Sequence, residues 1–223
     1  MPMAMVLSVV SRSKPVRQVP GTWAGERGLI MPYRTVQFAQ GQFYHVYNRG
    51  VGRQPIFREE ENYLFLLRRV KQYASGLDIA VIAYCLMPNH YHFLLRQDGL
   101  EPTGQLPQRV FNSYTKAFNR RYDRTGTLFE GPFKAIHVDQ ESYLLHLCRY
   151  IHANPVKHGL VSDLERWPYS NYLEWIGARN GKLVDLGFAR EHFPTANSYR
   201  QFVLDYLGGL DELPTGIEGY LLE

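Results

Sequence analysis

Cysteine is scarce in this chain: its 223 residues hold two, Cys85 and Cys148, each inside an apolar segment. Two thiols cannot build a disulfide framework or a multi-cysteine zinc site, and their scarcity suits a reducing, cytoplasmic setting. Long apolar runs are missing as well. The longest, Ile79 to Met87, is about half of the ~20 residues that a membrane-spanning helix needs, so no membrane partner is expected. The opening MPMAMVLSVVSRSK has no positive charge ahead of its short apolar stretch, which makes it a poor secretory signal. Nor is either charge dominant: 25 Lys and Arg against 21 Asp and Glu leave +4, compatible with a polyanionic partner but not diagnostic of one. What the chain does have is apolar and aromatic bulk, 45% hydrophobic with 16 tyrosines, and a length that can bury a core without staples.

Residues 1–32 mix Ser, Pro, Gly and Arg without helical or strand periodicity. They read as a disordered basic arm offering Arg12, Lys14, Arg17 and Arg27 to phosphates, or as an artefact of a start that belongs at Met31, within the second Met-Pro pair. From Gln42 the pattern sharpens. Phe43 to Tyr47 is aromatic and β-branched and runs into the turn signal Asn48-Arg49-Gly50, which predicts a strand. Glu59 to Tyr73 places Tyr63, Leu66, Leu67 and Val70 at helical spacing. Asp78–Leu86 and His90–Arg96 read as an antiparallel strand pair about the turn Met87-Pro88-Asn89. A helix follows over Gln105–Tyr122, with Val110, Tyr114, Phe118 and Tyr122 in one stripe, then a strand over Phe133–Val138. Another helix starts at Asp139 and should stop at Pro155, because proline removes a donor and restricts the residue before it.

The order β-α-β-β-α-β then α is that of an α+β, ferredoxin-like (split βαβ) antiparallel sheet with helices on one face, plus one added helix. Residues 33–178 would form this domain, and 179–223 a C-terminal helical extension, with a helix from Tyr199 to Leu207, and an acidic tail.

His90-Tyr91-His92 carries the first chemical signal. Strand residues two apart share a face with Cα atoms roughly 6.8 Å apart, so two imidazoles there can converge on one divalent ion. They can equally be two half-buried histidines of a hairpin, and a third ligand is needed to decide. The added helix contains YLLHLCRYIHANPVKHG from Tyr143. At 100° per residue Leu144, Leu147, Cys148 and Ile151 form its buried stripe, Tyr150 and Asn154 lie together at one border, and Arg149 and His152 point away. Tyr150 and Asn154, at i and i+4, can serve one site. Asn154 brings a hard carbonyl oxygen suited to Mg²⁺ or Mn²⁺, and a nearby cation would stabilise a phenolate that is otherwise a weak nucleophile near neutral pH. Alternatively Tyr150 edges the core and Asn154 merely ends the helix. Tyr114 competes as a nucleophile, but its i+4 neighbour Phe118 cannot ligate metal and its stripe is that of a core residue.

Taken in order, MPNHYHFLL, GTLFEGPFKA, RYIHANPVKHGLV and WPYSNY resemble the REP-associated tyrosine transposases, part of the single-tyrosine transposases of the HUH endonuclease class. The resemblance runs from about Tyr33 to about Leu207. It implies that His90 and His92 are the metal-binding histidine pair, that Asn154 is the third ligand, and that Tyr150 is the nucleophile on the added helix. It further implies single-stranded DNA endonuclease and strand-transfer activity on hairpin or palindromic repeat DNA through a 5′-phosphotyrosine, by a monomer or a homodimer.

Basic residues with interleaved rings suit such a partner. Between Gly104 and His137 stand Arg109, Lys116, Arg120, Arg121, Arg124 and Lys134, with Phe118, Tyr122, Phe129 and Phe133 among them and only Asp123 and Glu130 opposed. Arg49 and Arg53, around Gly50 and Gly52, form a second candidate phosphate contact. His45 and His137 read as structural strand residues that could also help to position the phosphate. Two rival functions remain at this stage: a domesticated, non-cleaving protein that binds hairpin nucleic acid, and a hydrolytic metalloenzyme that activates water.

Overall fold

A two-residue Pro88-Asn89 turn closes the hairpin of β2 (Ile79–Met87) and β3 (His90–Gln97). Beside it lie β1 (Phe43–Arg49) and β4 (Lys134–Val138), in the sheet order β2-β3-β1-β4 with every pair antiparallel. The computed structural model describes residues 36–210, 213–215 and 217. The expected basic arm, the start at Met31 and most of the acidic tail lie outside the described residues. β1 runs two residues into the predicted turn, because Asn48 and Arg49 still pair with Tyr91 and His90. The turn falls instead on Gly50–Arg53, where a Cβ on Gly50 would sit 2.1 Å from the Gln54 carbonyl oxygen, so only glycine fits.

Helices α1 (Glu60–Leu77) and α2 (Gln105–Arg121) cover one face of the sheet. Glu60 and Glu61 in the first turn of α1 favour its start through the helix dipole. Asp78, at φ 51° in the left-handed region, ends it. Its Tyr63, Leu66 and Val70 and the Val110, Tyr114 and Phe118 stripe of α2 meet Val46, Tyr91 and Phe93 from the strands. These six elements are the expected split βαβ.

The added helix α3 (Glu141–Lys157) packs on the opposite face, together with α4 (Tyr172–Trp175), α5 (Leu186–His192) and α6 (Ala196–Leu207). The sheet is therefore sandwiched between two helical layers. A bulge makes this second face usable. Val81 pairs with Leu95 and Ala83 with Leu94, so Ile82 is an extra residue and the side-chain alternation of β2 switches there. The backbone groups that the bulge frees are taken up from α4 and the residue before it. Tyr84 N–H donates to Asn171 Oδ1 (2.6 Å), while Asn171 Nδ2 (2.9 Å) and Trp175 Nε1 (3.3 Å) donate to Ile82 O.

Two expectations for α3 need correction. Pro155 does not end the helix, which continues to Lys157; so near the C-terminus its missing N–H costs one hydrogen bond and breaks nothing further. Arg149 and His152 do not point to solvent, because α6 covers that side and both are fully buried. Arg149 lies over the rings of Phe202 and Tyr206, 4.4 and 5.0 Å from their centroids. His152 Nε2 bonds Asn171 Oδ1 (2.9 Å) and its Nδ1 bonds the Tyr199 hydroxyl (2.5 Å). A helix buried all round carries no single apolar stripe, which is why the wheel misplaced these two. No helix among the described residues is long and apolar enough to cross a membrane.

Candidate active site

β1 and β3 bring His45, Tyr47, His90 and His92 to the α3 face of the sheet, where Tyr150 and Asn154 meet them from the helix. The Tyr150 ring stands against the His92 imidazole with centroids 5.6 Å apart, and the His90 and His92 rings are 5.1 Å apart. All four candidate residues are nearly enclosed: exposure is 9% for His90, 0% for His92, 8% for Tyr150 and 1% for Asn154. The two sequence-spaced pairs, His90 with His92 and Tyr150 with Asn154, are thus brought together although they come from elements far apart in the chain.

Two polar atoms here lack protein partners. His92 Nε2 and Asn154 Oδ1 are both buried and make no hydrogen bond. An orphaned buried polar atom costs roughly 1–3 kcal/mol, so two in one site need an occupant to offset them. The Asn154 amide is not free to turn, since its Nδ2 donates to the Tyr150 carbonyl (2.8 Å) and Oδ1 must then look the other way. His90 is fixed from behind. Its Nδ1 meets Asn89 Oδ1 at 2.7 Å, and because that oxygen can only accept, the imidazole proton sits on Nδ1 and the Nε2 lone pair is left for a ligand. Asn89 is itself held by its Nδ2 donating to Arg53 O (3.4 Å).

Both histidines are neutral at ordinary pH. Burial pushes His90 down to about 4, helped by the positive fields of His158 and Arg49 and opposed by the Asn154 amide beside it. Burial also holds His92 well below the usual histidine range, with His45, His90 and His158 adding to the effect. Neutral imidazoles offer lone pairs to a cation. Among the described residues no three His, Cys, Asp or Glu side chains converge as a metal site. His90, His92 and Asn154 could together offer two imidazoles and one amide oxygen, a set that would suit a hard divalent ion keeping some water.

The remaining candidates separate. Arg49 and Arg53 flank the Gly50 loop beside Asn89, and Lys134 Nζ lies 5.9 Å over the Tyr47 ring, itself 6.1 Å from the His92 ring. Arg49, whose charge acts on His90, and Lys134 stand at the edge of the histidine site, with Arg49 ion-paired to Glu130, while Arg53 is tied to it through its backbone oxygen on Asn89. Arg53 sits at φ 57°, an unusual conformation for a residue with a side chain. Lys116, Arg120, Arg121 and Arg124 belong to α2 and the turn after it, across the sheet, where Arg121 pairs with Glu59 and Arg124 lies over Phe118. Tyr114 is a core residue of that other face, its hydroxyl donating to Ile56 O and its ionisation suppressed by burial.

His137 also faces away, toward Tyr44 and Gln42, so it takes no part. His45 does take part: its Nε2 is 3.1 Å from His92 Nδ1, in fully buried surroundings. His158, which the sequence reading passed over, ends α3 with its ring 5.5 Å from that of His90. Its signal was present, because it follows Asn154 by four residues as Asn154 follows Tyr150. Asn89 was read only as a turn former.

Comparison with known proteins adds three findings. The profile of the IS200-like transposase family matches residues 39–154. A Haemophilus influenzae protein named as a REP-associated tyrosine transposase is 28% identical over 117 residues, which span 46% of this chain and 64% of that relative. The structure of a REP-associated tyrosine transposase bound to a REP hairpin superposes with a TM-score of 0.57 at 16% identity, covering 70% of this chain and 94% of the other, and so supports the fold.

Proposed function

This chain belongs to the IS200-like transposase family, and from that premise we propose that it cuts and rejoins single-stranded DNA beside a hairpin, with Tyr150 as nucleophile. The arrangement that carries the reading is the Tyr150 ring edge-on to His92, next to two buried polar atoms without hydrogen-bond partners, His92 Nε2 and Asn154 Oδ1. A cation would satisfy both, and His90, His92 and Asn154 would hold Mg²⁺ or Mn²⁺. When bound, such an ion supplies Lewis-acid polarisation of the phosphate and stabilises developing negative charge.

The protein's own groups do the rest. Tyr150 Oη attacks the phosphorus and loses its proton, the bond from phosphorus to the 3′ oxygen breaks, and that oxygen takes up a proton. The 5′-phosphate remains on Tyr150 as an ester and the other strand end is a 3′-OH. Because the phosphodiester is exchanged rather than hydrolysed, a second 3′-OH can reverse the step and join strands. Burial of the tyrosine limits competition from water. Arg53 and Lys134 at the rim would contact the flanking phosphates, and unpaired bases beside a hairpin expose edges that a duplex hides. The hairpin substrate is carried over from the bound relative and from the motif resemblance.

The test is incubation with labelled hairpin oligonucleotides and Mn²⁺, with and without EDTA. An adduct that survives denaturant, is lost with EDTA and is absent in Tyr150→Phe is expected. Adduct formation by Tyr150→Phe would sink the assignment, and chelator-independent retention without cleavage would make the protein a binder.

A further inference from the structure

The two histidines of the site are backed differently. Asn89 supplies an oxygen to His90, an acceptor that leaves no choice of tautomer. His92 is backed by another imidazole, and the 3.1 Å contact between His45 Nε2 and His92 Nδ1 could carry its proton on either ring. The rings are near parallel, 15° between planes with centroids 5.3 Å apart, and both residues are wholly buried on the central strands β1 and β3.

The far side of His92 resolves the direction. If His45 donated, His92 would keep its proton on Nε2 and aim an N–H into the site, where it finds no protein acceptor. If His92 donates, its Nε2 becomes a bare lone pair, matching the bare lone pair that the Asn89 contact leaves on His90. The other orphan of the site, Asn154 Oδ1, is an acceptor whose orientation the Tyr150 carbonyl locks. Lone pairs from three residues are satisfied together by one cation, whereas an N–H among them is not.

We infer that His45 is a positioning residue for His92: its Nε2 accepts the His92 Nδ1 proton and so fixes the tautomer whose Nε2 lone pair opens into the site. His45 then carries its own proton on Nδ1. The inference rests on the metal-site reading given above for its purpose, but not for its geometry. It deepens that reading by naming what keeps the second imidazole competent before any ion arrives. A buried imidazole behind a ligand histidine, clamped by neighbouring strands, holds both ring angle and tautomer.

The test uses the full-length, metal-free protein labelled with ¹⁵N-histidine, in long-range ¹H–¹⁵N correlation spectra. His92, identified by the signals missing from His92→Asn, is expected to show a protonated Nδ1 and a bare Nε2. The reverse pattern overturns the inference. A second arm measures Mn²⁺ binding by calorimetry in wild type, His45→Gln and His45→Leu. Glutamine can present an oxygen near the position of Nε2, while leucine presents no acceptor. Affinity is expected to fall about 10–100-fold in His45→Leu and to be largely restored in His45→Gln. Unchanged affinity in His45→Leu, or an equal loss in both variants, overturns it. Should wild type bind no Mn²⁺ while His92 shows the stated tautomer, the metal reading falls and the assignment of His45 as the proton acceptor stands.

Discussion

The Tyr150 ring stands edge-on to the His92 imidazole of its own chain, with planes at 86°. The proposed nucleophile and the proposed metal ligand are thus brought together by elements of one polypeptide. Mixing Tyr150→Phe with His92→Ala protein is expected to restore no adduct, and the wild-type yield per chain should not depend on protein concentration. Adduct recovery in the mixture, read on a denaturing gel, would show that α3 is exchanged between copies.

Asn154 offers a sharper test of the ion. Truncation to alanine removes the orphaned Oδ1 and should weaken Mn²⁺ binding about tenfold or more, whereas Asn154→Asp keeps an oxygen and adds charge. Calorimetry on both variants checks the order; equal affinity in wild type and Asn154→Ala would take the amide out of the site.

The rim and the α2 cations should differ in DNA binding. Arg53→Ala and Lys134→Ala are each expected to lower hairpin affinity and to reduce the slope of log K against log salt by about 0.7–1. Arg121→Ala should change that slope little, because Arg121 is already committed to Glu59 across the sheet from the site. Fluorescence anisotropy over a salt series distinguishes the two groups.

Acid should loosen the fold in a defined window. His90 and His152 both fall from 6.5 to about 4 on burial. Between those values the unfolded chain binds protons that the folded chain refuses, so stability declines as pH drops from 6.5 toward about 4. Above the window these two groups leave stability unchanged. Urea midpoints measured across it, with EDTA present, should show the decline, and His152→Gln should make it shallower by removing one of the two contributions.

Asn171 ties the bulge of β2 to the helical layer that contains α3. It accepts from Tyr84 N–H, donates to Ile82 O and meets His152 on α3. Asn171→Ala strands the Tyr84 N–H and His152 Nε2, leaves Ile82 O only the Trp175 indole, and is expected to cost on the order of 3 kcal/mol in urea denaturation. A loss below about 1 kcal/mol would show that water replaces the amide.

The sheet was legible because its strands alternate or are bounded by turn residues, and the histidine pair because strand periodicity is two. Tyr150 and Asn154 were legible together because four residues is one helical turn. What sequence could not convey is which face α3 takes, since a helix buried on every side has no polar edge to betray its orientation. Arg149 and His152 were misread for that reason. His45 and Asn89 were undervalued because their partners lie on other strands or across a turn, and tautomer control leaves no mark in residue spacing. The Ile82 bulge hides inside an apolar run, where parity cannot be followed.

The imidazole pair belongs to the middle of the chain, while the phenol and amide come from a helix translated later, after β4 has been made. During synthesis the emerging chain therefore carries His90 and His92 before Tyr150 and Asn154 exist to join them. Docking of α3 onto the sheet is what unites them, so a product truncated before α3 is expected to lack the proposed strand-transfer chemistry altogether.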